Sequence, residues 1–338
     1  MDSACYNSSD GFIYAVRGGR VFKINATSGA ILAQSDYDLR LRPGASIAYA
    51  SVNNTLWAGG WNDPTSNQAL GNAIPSAYYF SPRRMYKIAP STLTVLQALD
   101  LDSNFPSGAT PNAWDSAQQP LAGVQELKAV GSVIYGVFLG FQSTPSATPI
   151  VFDPSNTASY TLGFSGGVAG QFAVQPGNFV WAPDVTFPRI VKVNMTTGAY
   201  VNELDTWSGG SPATVHDFYP LAVEYSDETG DLFCTSQSVG APGDGGFIYR
   251  LSVGLFEVAQ LNTGRTNFAG VHLRRCPVGP NTGLLYGAGF GDNTVVVVNP
   301  TTNGMTVKTG FDLPYDFVFT PSKVWCVQQG TVALKEVV

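Results

Sequence analysis

"RIVKVNMTTGAYVNEL", residues 189–204, has a near-twin at residues 20–35, "RVFKINATSGAILAQS". Arg, Lys, Asn, Thr, Gly and Ala fall at matching places, and apolar residues fill the gaps between them. In-and-out alternation on either side of the polar tail is the period-two signature of a strand. The tails, "NMTTG" and "NATSG", read as hairpin loops. Asn or Thr bonds the turn backbone there, and Gly accepts the positive φ that closes it. One strand–turn–strand unit is therefore written twice, far apart.

A second phrase multiplies the unit. A turn residue, an apolar residue and an aromatic recur in "DGFIY" ending at Tyr14, "NNTLW" at Trp57, "GSVIY" at Tyr135 and "GNFVW" at Trp181. They return in "TGDLF" at Phe233, "TGLLY" at Tyr286 and "PSKVW" at Trp325. After each comes a version of the opening phrase: "RMYKIA" (84–89), "TPIVFD" (148–153), "GFIYRL" (246–251), "TVVVVN" (294–299) and "TVALKEVV" (331–338). A supersecondary unit repeated every 40–50 residues means a solenoid, a propeller or an array. Nothing in the chain carries a capped apolar stripe of helical period. Each unit reads as four antiparallel strands, A to D, and seven such sheets set radially protect their own edges.

The predicted fold is all-β: a single domain over residues 1–338, a seven-bladed β-propeller of four-stranded antiparallel blades. The blades fall at about residues 1–36, 45–99, 122–164, 168–205, 219–262, 267–310 and 315–338. The last has only three strands in view. Either residues 1–7 complete it, or its edge at Val332, Leu334 and Glu336 is open to strand addition from another chain.

The strand-B entry followed by "VxKΦNxxTG" resembles the YVTN, NHL and SMP-30-like propeller superfamily. The resemblance covers essentially the whole chain and implies seven blades. It implies no activity, since members include enzymes, binding modules and scaffolds. "MYKIAPSTLTV" departs from the pattern by lacking the turn glycine, and "YRLSVGLFEV" shortens the C–D loop.

Composition narrows the role. Hydrophobic residues are 44% of the 338, enough for a core, while charged residues are 12%, about half the usual ~25%. The net charge is −6 and no basic run exceeds two residues, which argues against nucleic acid or an anionic membrane as partner. No stretch approaches the ~20 apolar residues of a membrane-spanning helix. The start, "MDSACYNSSDG", has neither the basic residues nor the apolar run of a secretory signal. A virion or extracellular setting is favoured over a cytoplasmic one, by analogy with propellers of phage tails. Four cysteines without CxxC spacing and two histidines argue against a zinc site. They read as buried thiols, or as a Cys5–Cys326 pair joining the chain ends.

In a four-stranded meander the A–B and C–D loops share one end, and the B–C and D–A loops share the other. The second set holds the long connections at 59–84, 100–121 and 205–218; loops beyond ~12–15 residues are usually functional. The expected partner face, for a protein or a glycan, is therefore Trp61, Asp63, Trp114, Asp115, Asp184, Trp207, Asp217, Asp244 and Asp292. The same acids would suit a calcium ion or other divalent ion through oxygen ligands. A metal-dependent hydrolase resembling the SMP-30 lactonases would draw on polar inner-strand residues instead, of which Glu126, Glu224, His272 and Asp316 are candidates. "GFSGG" (163–167) matches a nucleophile elbow but lacks the strand–turn–helix setting. "DLDSN" (100–104) opens like a calcium loop but has Phe105 for the turn glycine and Pro111 for the closing Glu. The favoured reading is a non-catalytic interaction or structural module with no required cofactor, possessing a protein or glycan partner and open to oligomeric assembly. The metal-dependent hydrolase and the glycan binder are the alternatives.

Overall fold

The computed structural model describes residues 1–37, 39, 45–60, 84–100, 123–141, 145–162, 171–184, 188–206, 218–237, 246–254, 256–265, 268 and 270–338. The first sheet is β1 (Ser3–Asn7), β2 (Phe12–Arg17), β3 (Arg20–Asn25) and β4 (Ile31–Gln34). The second is β5 (Ser46–Ala50), β6 (Thr55–Gly59), β7 (Arg84–Ile88) and β8 (Val95–Asp100). The third is β9 (Gly123–Val130), β10 (Val133–Phe141), β11 (Pro145–Asp153) and β12 (Asn156–Leu162). Then come β13 (Ala173–Gln175), β14 (Phe179–Asp184), β15 (Arg189–Asn194) and β16 (Ala199–Asp205) in the fourth. The fifth is β17 (Tyr219–Tyr225), β18 (Asp231–Gln237), β19 (Phe247–Ser252) and β20 (Phe256–Asn262). The sixth is β21 (Gly270–Arg275), β22 (Leu285–Gly289), β23 (Thr294–Val298) and β24 (Met305–Lys308). The last holds β25 (Pro314–Phe319), β26 (Val324–Gln328) and β27 (Leu334–Glu336).

Six sheets are four-stranded meanders and the seventh has three strands, all antiparallel and all in chain order. The fold is a seven-bladed β-propeller with a three-stranded last blade. The chain forms two compact units: residues 2–161, with the first three blades, and residues 162–338 together with Met1, with the other four. Within each unit the A strands of successive blades lie against one another, so A is the inner strand and D the outer.

The cores lie between blades. In the first unit Tyr14, Val16 and Val21 of blade 1 pack with Ile47, Leu56 and Ile88 of blade 2. In the second, Trp181 and Ile190 meet Val223, Cys234 and Tyr249, and the same pattern joins blades 5 to 6 and 6 to 7. Packing each blade on both faces is why strand B is buried along its whole length, as in β6 and β26, and mostly apolar rather than alternating.

The twin phrases fold alike. Asn25 Oδ1 accepts from the Thr27 and Ser28 amides at 2.9 Å each, and Asn194 Oδ1 does the same for Thr196 and Thr197 at 2.9 and 3.4 Å. Gly29 and Gly198 close the turns at φ 71° and 74°. In blade 2, where the glycine is missing, Leu93 takes that place at φ 58°, its amide donating to the Ala89 carbonyl. A leucine tolerates this left-handed backbone, at a cost of ~1–2 kcal/mol, because its side chain is buried in the blade 1–2 core.

One of the two alternatives for the edge of the last blade is set aside. Residues 3–7 pair with β2 as the first strand of blade 1, so they do not complete the seventh blade. Met1 is buried, and its ammonium donates to the carbonyls of Gln328 and of Thr331, at the β26–β27 turn rather than along β27. All four cysteines are free thiols, three of them buried and Cys5 partly so, which sets aside the Cys5–Cys326 pair.

Candidate functional site

Trp61, Asp63, Trp114, Asp115, Trp207, Asp217 and Asp244 lie outside the described residues, as do most of the long connections. The other two members of the expected partner face are inside. Asp184 ends β14 fully buried, where it accepts from Arg189 Nε at 2.8 Å. It is not a surface residue: the same guanidinium binds Glu203 Oε2 at 2.6 Å through Nη1, clamping strands B, C and D of blade 4 at one end. Asp292, in the β22–β23 turn, is half-buried; it accepts from Thr294 Oγ1 at 2.5 Å and faces Arg265 at 3.8 Å.

Of the candidate metal ligands, Glu224 and Asp316 accept hydrogen bonds from neighbouring side chains. Glu126 sits at φ 53° in the bulge where β9 slips against β10 between Tyr135 and Val137. The same slip recurs on the inner strands of blades 5, 6 and 7. Glu224 accepts from Gln171 Nε2 at 3.1 Å. Asp316 is buried and takes Arg274 Nε at 2.8 Å, Arg274 Nη2 at 3.3 Å and its own neighbour's amide, Phe317 N, at 2.8 Å. His272 is buried edge-on against Tyr315, with ring centroids 4.5 Å apart. Among the described residues no three His, Cys, Asp or Glu side chains stand together as a metal would need.

Sequence reasoning missed the residue that organises this wall. Gln171, fully buried before β13, gives its backbone carbonyl to Val223 N at 2.9 Å in blade 5. Its side-chain amide accepts from the Leu273 N–H and donates to the Leu273 carbonyl in blade 6. One glutamine thus satisfies both backbone polar groups of a residue two blades away and joins blades 4, 5 and 6 near their inner strands. A lone Gln in "AGQFAVQ" carries no signal of that.

At the other side of the last blade lies the outer edge of β27. The pairs are Trp325↔Glu336, Cys326↔Lys335 and Val327↔Leu334, and Val337 N donates to Val324 O at 2.9 Å. Hydrogen-bonded pairs alternate along an antiparallel ladder, so Val337 and Lys335 direct their backbone groups at β26. Leu334 and Glu336 direct theirs outward; Val332 lies ahead of the strand, outside the ladder, with its side chain exposed. In the other six sheets a D strand takes these groups; here, among the described residues, no strand does. Leu334 is buried, while Glu336 pairs with Lys323 at 2.7 Å.

Neither a scan against protein-family models nor a comparison with curated proteins finds a match. Solved structures do match over nearly the whole length. Hydrazine synthase from Kuenenia stuttgartiensis aligns with a TM-score of 0.65 at 11% identity, over 99% of this chain and 94% of that one. Virginiamycin B lyase from Staphylococcus aureus gives 0.58 at 11%, over 99% and 93%. A chain of a mitotic checkpoint complex gives 0.60 at 14%, over 99% and 86%. At these identities the likeness establishes the fold, a seven-bladed propeller, and nothing finer.

Proposed function

We propose that this chain is a non-catalytic interaction module whose partner is another protein. The observation that carries the reading is how the described acids are spent. Asp184 and Asp316 are held by arginines and Glu224 by Gln171. A catalytic or metal-binding carboxylate keeps lone pairs for its ligand; these are committed to holding blades together. Such a wall serves a rigid scaffold, and a rigid scaffold with long connections at one end of its blades suits partner recognition. That similar propellers occur in a mitotic checkpoint complex supports a protein as partner.

Cross-linking the endogenous protein before purification tests this. A single partner polypeptide joined at reproducible positions supports the module. Freedom from any protein partner, together with turnover of a lactone or phosphoester when a divalent ion is added, would favour the hydrolase instead. Stabilisation by a sugar and by no protein would favour the glycan binder.

A further inference from the structure

The seven B-strand aromatics mark one register through all the blades, and that register says what the open edge of β27 lacks. Opposite Tyr14, Trp57, Trp181 and Phe233, strand C presents Lys23, Lys87, Lys192 and Arg250. Opposite Tyr135 and Tyr286 it presents Val151 and Val297. Opposite Trp325 it presents Glu336. The polarity of the position is inverted in the last blade, where the cation over the ring comes from Lys323 on the other side, 5.2 Å from the Trp325 centroid.

Strand D follows the same register. Facing Lys23, Lys87, Lys192 and Arg250 are Ala33, Gln97, Asn202 and Ala259, all uncharged beside a cation. Two residues further along D, a leucine recurs: Leu99, Leu204 and Leu261, facing Met85, Ile190 and Ile248. The corresponding C-strand residue in the last blade is Leu334. Between these two positions Glu203 faces Val191 in blade 4; in the last blade the residue there is Lys335. Opposite charges on facing strands are favourable and like charges are not.

We propose that the outer edge of β27 takes up, as an antiparallel fourth strand, an extended segment of a partner protein with the order basic–acidic–leucine. The basic residue faces Glu336 and shares its carboxylate with Lys323, the acidic one faces Lys335 and shares its ammonium with the Gly310 carbonyl, and the leucine faces Leu334. This inference rests on the reading of the chain as a protein-interaction module and names the partner's chemistry. Its affinity comes from backbone bonds to Leu334 and Glu336 and its selectivity from the charge pair. A second copy of β27 answers neither charge favourably: pairing centred on Lys335 or on Glu336 sets like charges opposite each other, and pairing centred on Leu334 sets Lys335 and Glu336 against the uncharged Ala333 and Val332.

The test uses two synthetic peptides patterned on β16, Ala-Tyr-Val-Lys-Glu-Leu-Asp and its charge-inverted twin Ala-Tyr-Val-Glu-Lys-Leu-Asp, titrated to millimolar concentration against the full chain and read by fluorescence anisotropy. The first should bind about tenfold more tightly than the second, and the order should invert on a Lys335→Glu, Glu336→Lys double variant. Glu336→Pro removes an outward N–H without touching the β26 ladder; it should abolish binding of both peptides while the melting temperature falls by no more than about 2 °C, the worth of the lost, half-exposed Lys323 pair. Equal binding of the two peptides, no binding of either, or binding that survives Glu336→Pro would overturn the proposal. So would a dimer of the chain that Glu336→Pro dissolves. A natural partner that is cross-linked equally well to Glu336→Pro would overturn the edge proposal and leave the interaction module intact.

Discussion

The ammonium of Lys192 lies 5.0 Å from the ring centroid of Trp181 and 4.4 Å from that of Phe179. Lys23 repeats the arrangement over Phe12 at 4.1 Å and Tyr14 at 5.6 Å, and Arg250 stands over Phe233 at 5.8 Å. The repeated lysine of the twin phrases is thus a cation seated on the aromatic strand beside it. Partial burial lowers the Lys192 pKa, so the ring face offsets part of a desolvation cost. Lys192→Met keeps the stem and removes the charge. Because the ring recovers only part of the desolvation cost, stability should hold or rise by up to ~0.5 kcal/mol, read as a shift of the urea midpoint; a clear fall of the midpoint would mean that the ring contact outweighs desolvation.

Leu93 and Gly29 occupy the same turn position with opposite demands. Gly29→Ala should cost ~1–2 kcal/mol, the penalty of a left-handed residue. Leu93→Gly relieves that penalty but empties a buried site, where loss of a leucine side chain costs ~2–5 kcal/mol. The net result is destabilisation by roughly 1–3 kcal/mol, visible in thermal melts. A Leu93→Gly protein more stable than its parent would show that backbone strain outweighs the core contact.

Gln171→Met keeps the volume and strips the amide, leaving the buried Leu273 N–H and C=O without their partner. The expected loss is about 2–4 kcal/mol. Gln171→Glu should be at least as damaging, because a carboxylate accepts from the N–H but repels both the Leu273 carbonyl and Glu224. Hydrogen exchange at Leu273 checks the assignment: its amide should lose protection in both variants.

Glu228 gives the pH dependence a sign. Its hydrogen bonds from Arg275, at 2.8 and 3.1 Å to Nε, lower its pKa from 4.5 to about 2. A depressed carboxylate stabilises the fold above its unfolded pKa and loses that contribution as pH falls toward the folded value. Stability should therefore decline from about pH 5 down to pH 2, by less than ~1 kcal/mol from this pair because it is largely solvated. Glu228→Gln should flatten that part of the profile and leave stability above pH 6 only slightly reduced.

The repeat made the fold legible. Strand B announces itself through one aromatic per blade, and the turn chemistry of Asn25 and Asn194 is local enough to read from the letters. The three-stranded last blade followed from counting strands. What stayed hidden depends on residues distant in the chain. The Arg189 clamp turns Asp184 inward, although its place just before a B–C connection suggested a surface acid. Gln171 acts on a residue 102 positions away, and Leu93 breaks the turn rule because its side chain is wanted in the core.

The most direct test of the interaction account is native mass spectrometry of the protein, taken from its source under gentle conditions, with and without EDTA. The account predicts a complex of fixed stoichiometry with a second polypeptide, its mass unchanged by the chelator. A lone chain carrying one tightly held divalent ion, lost to EDTA, would contradict it and turn attention to hydrolytic substrates.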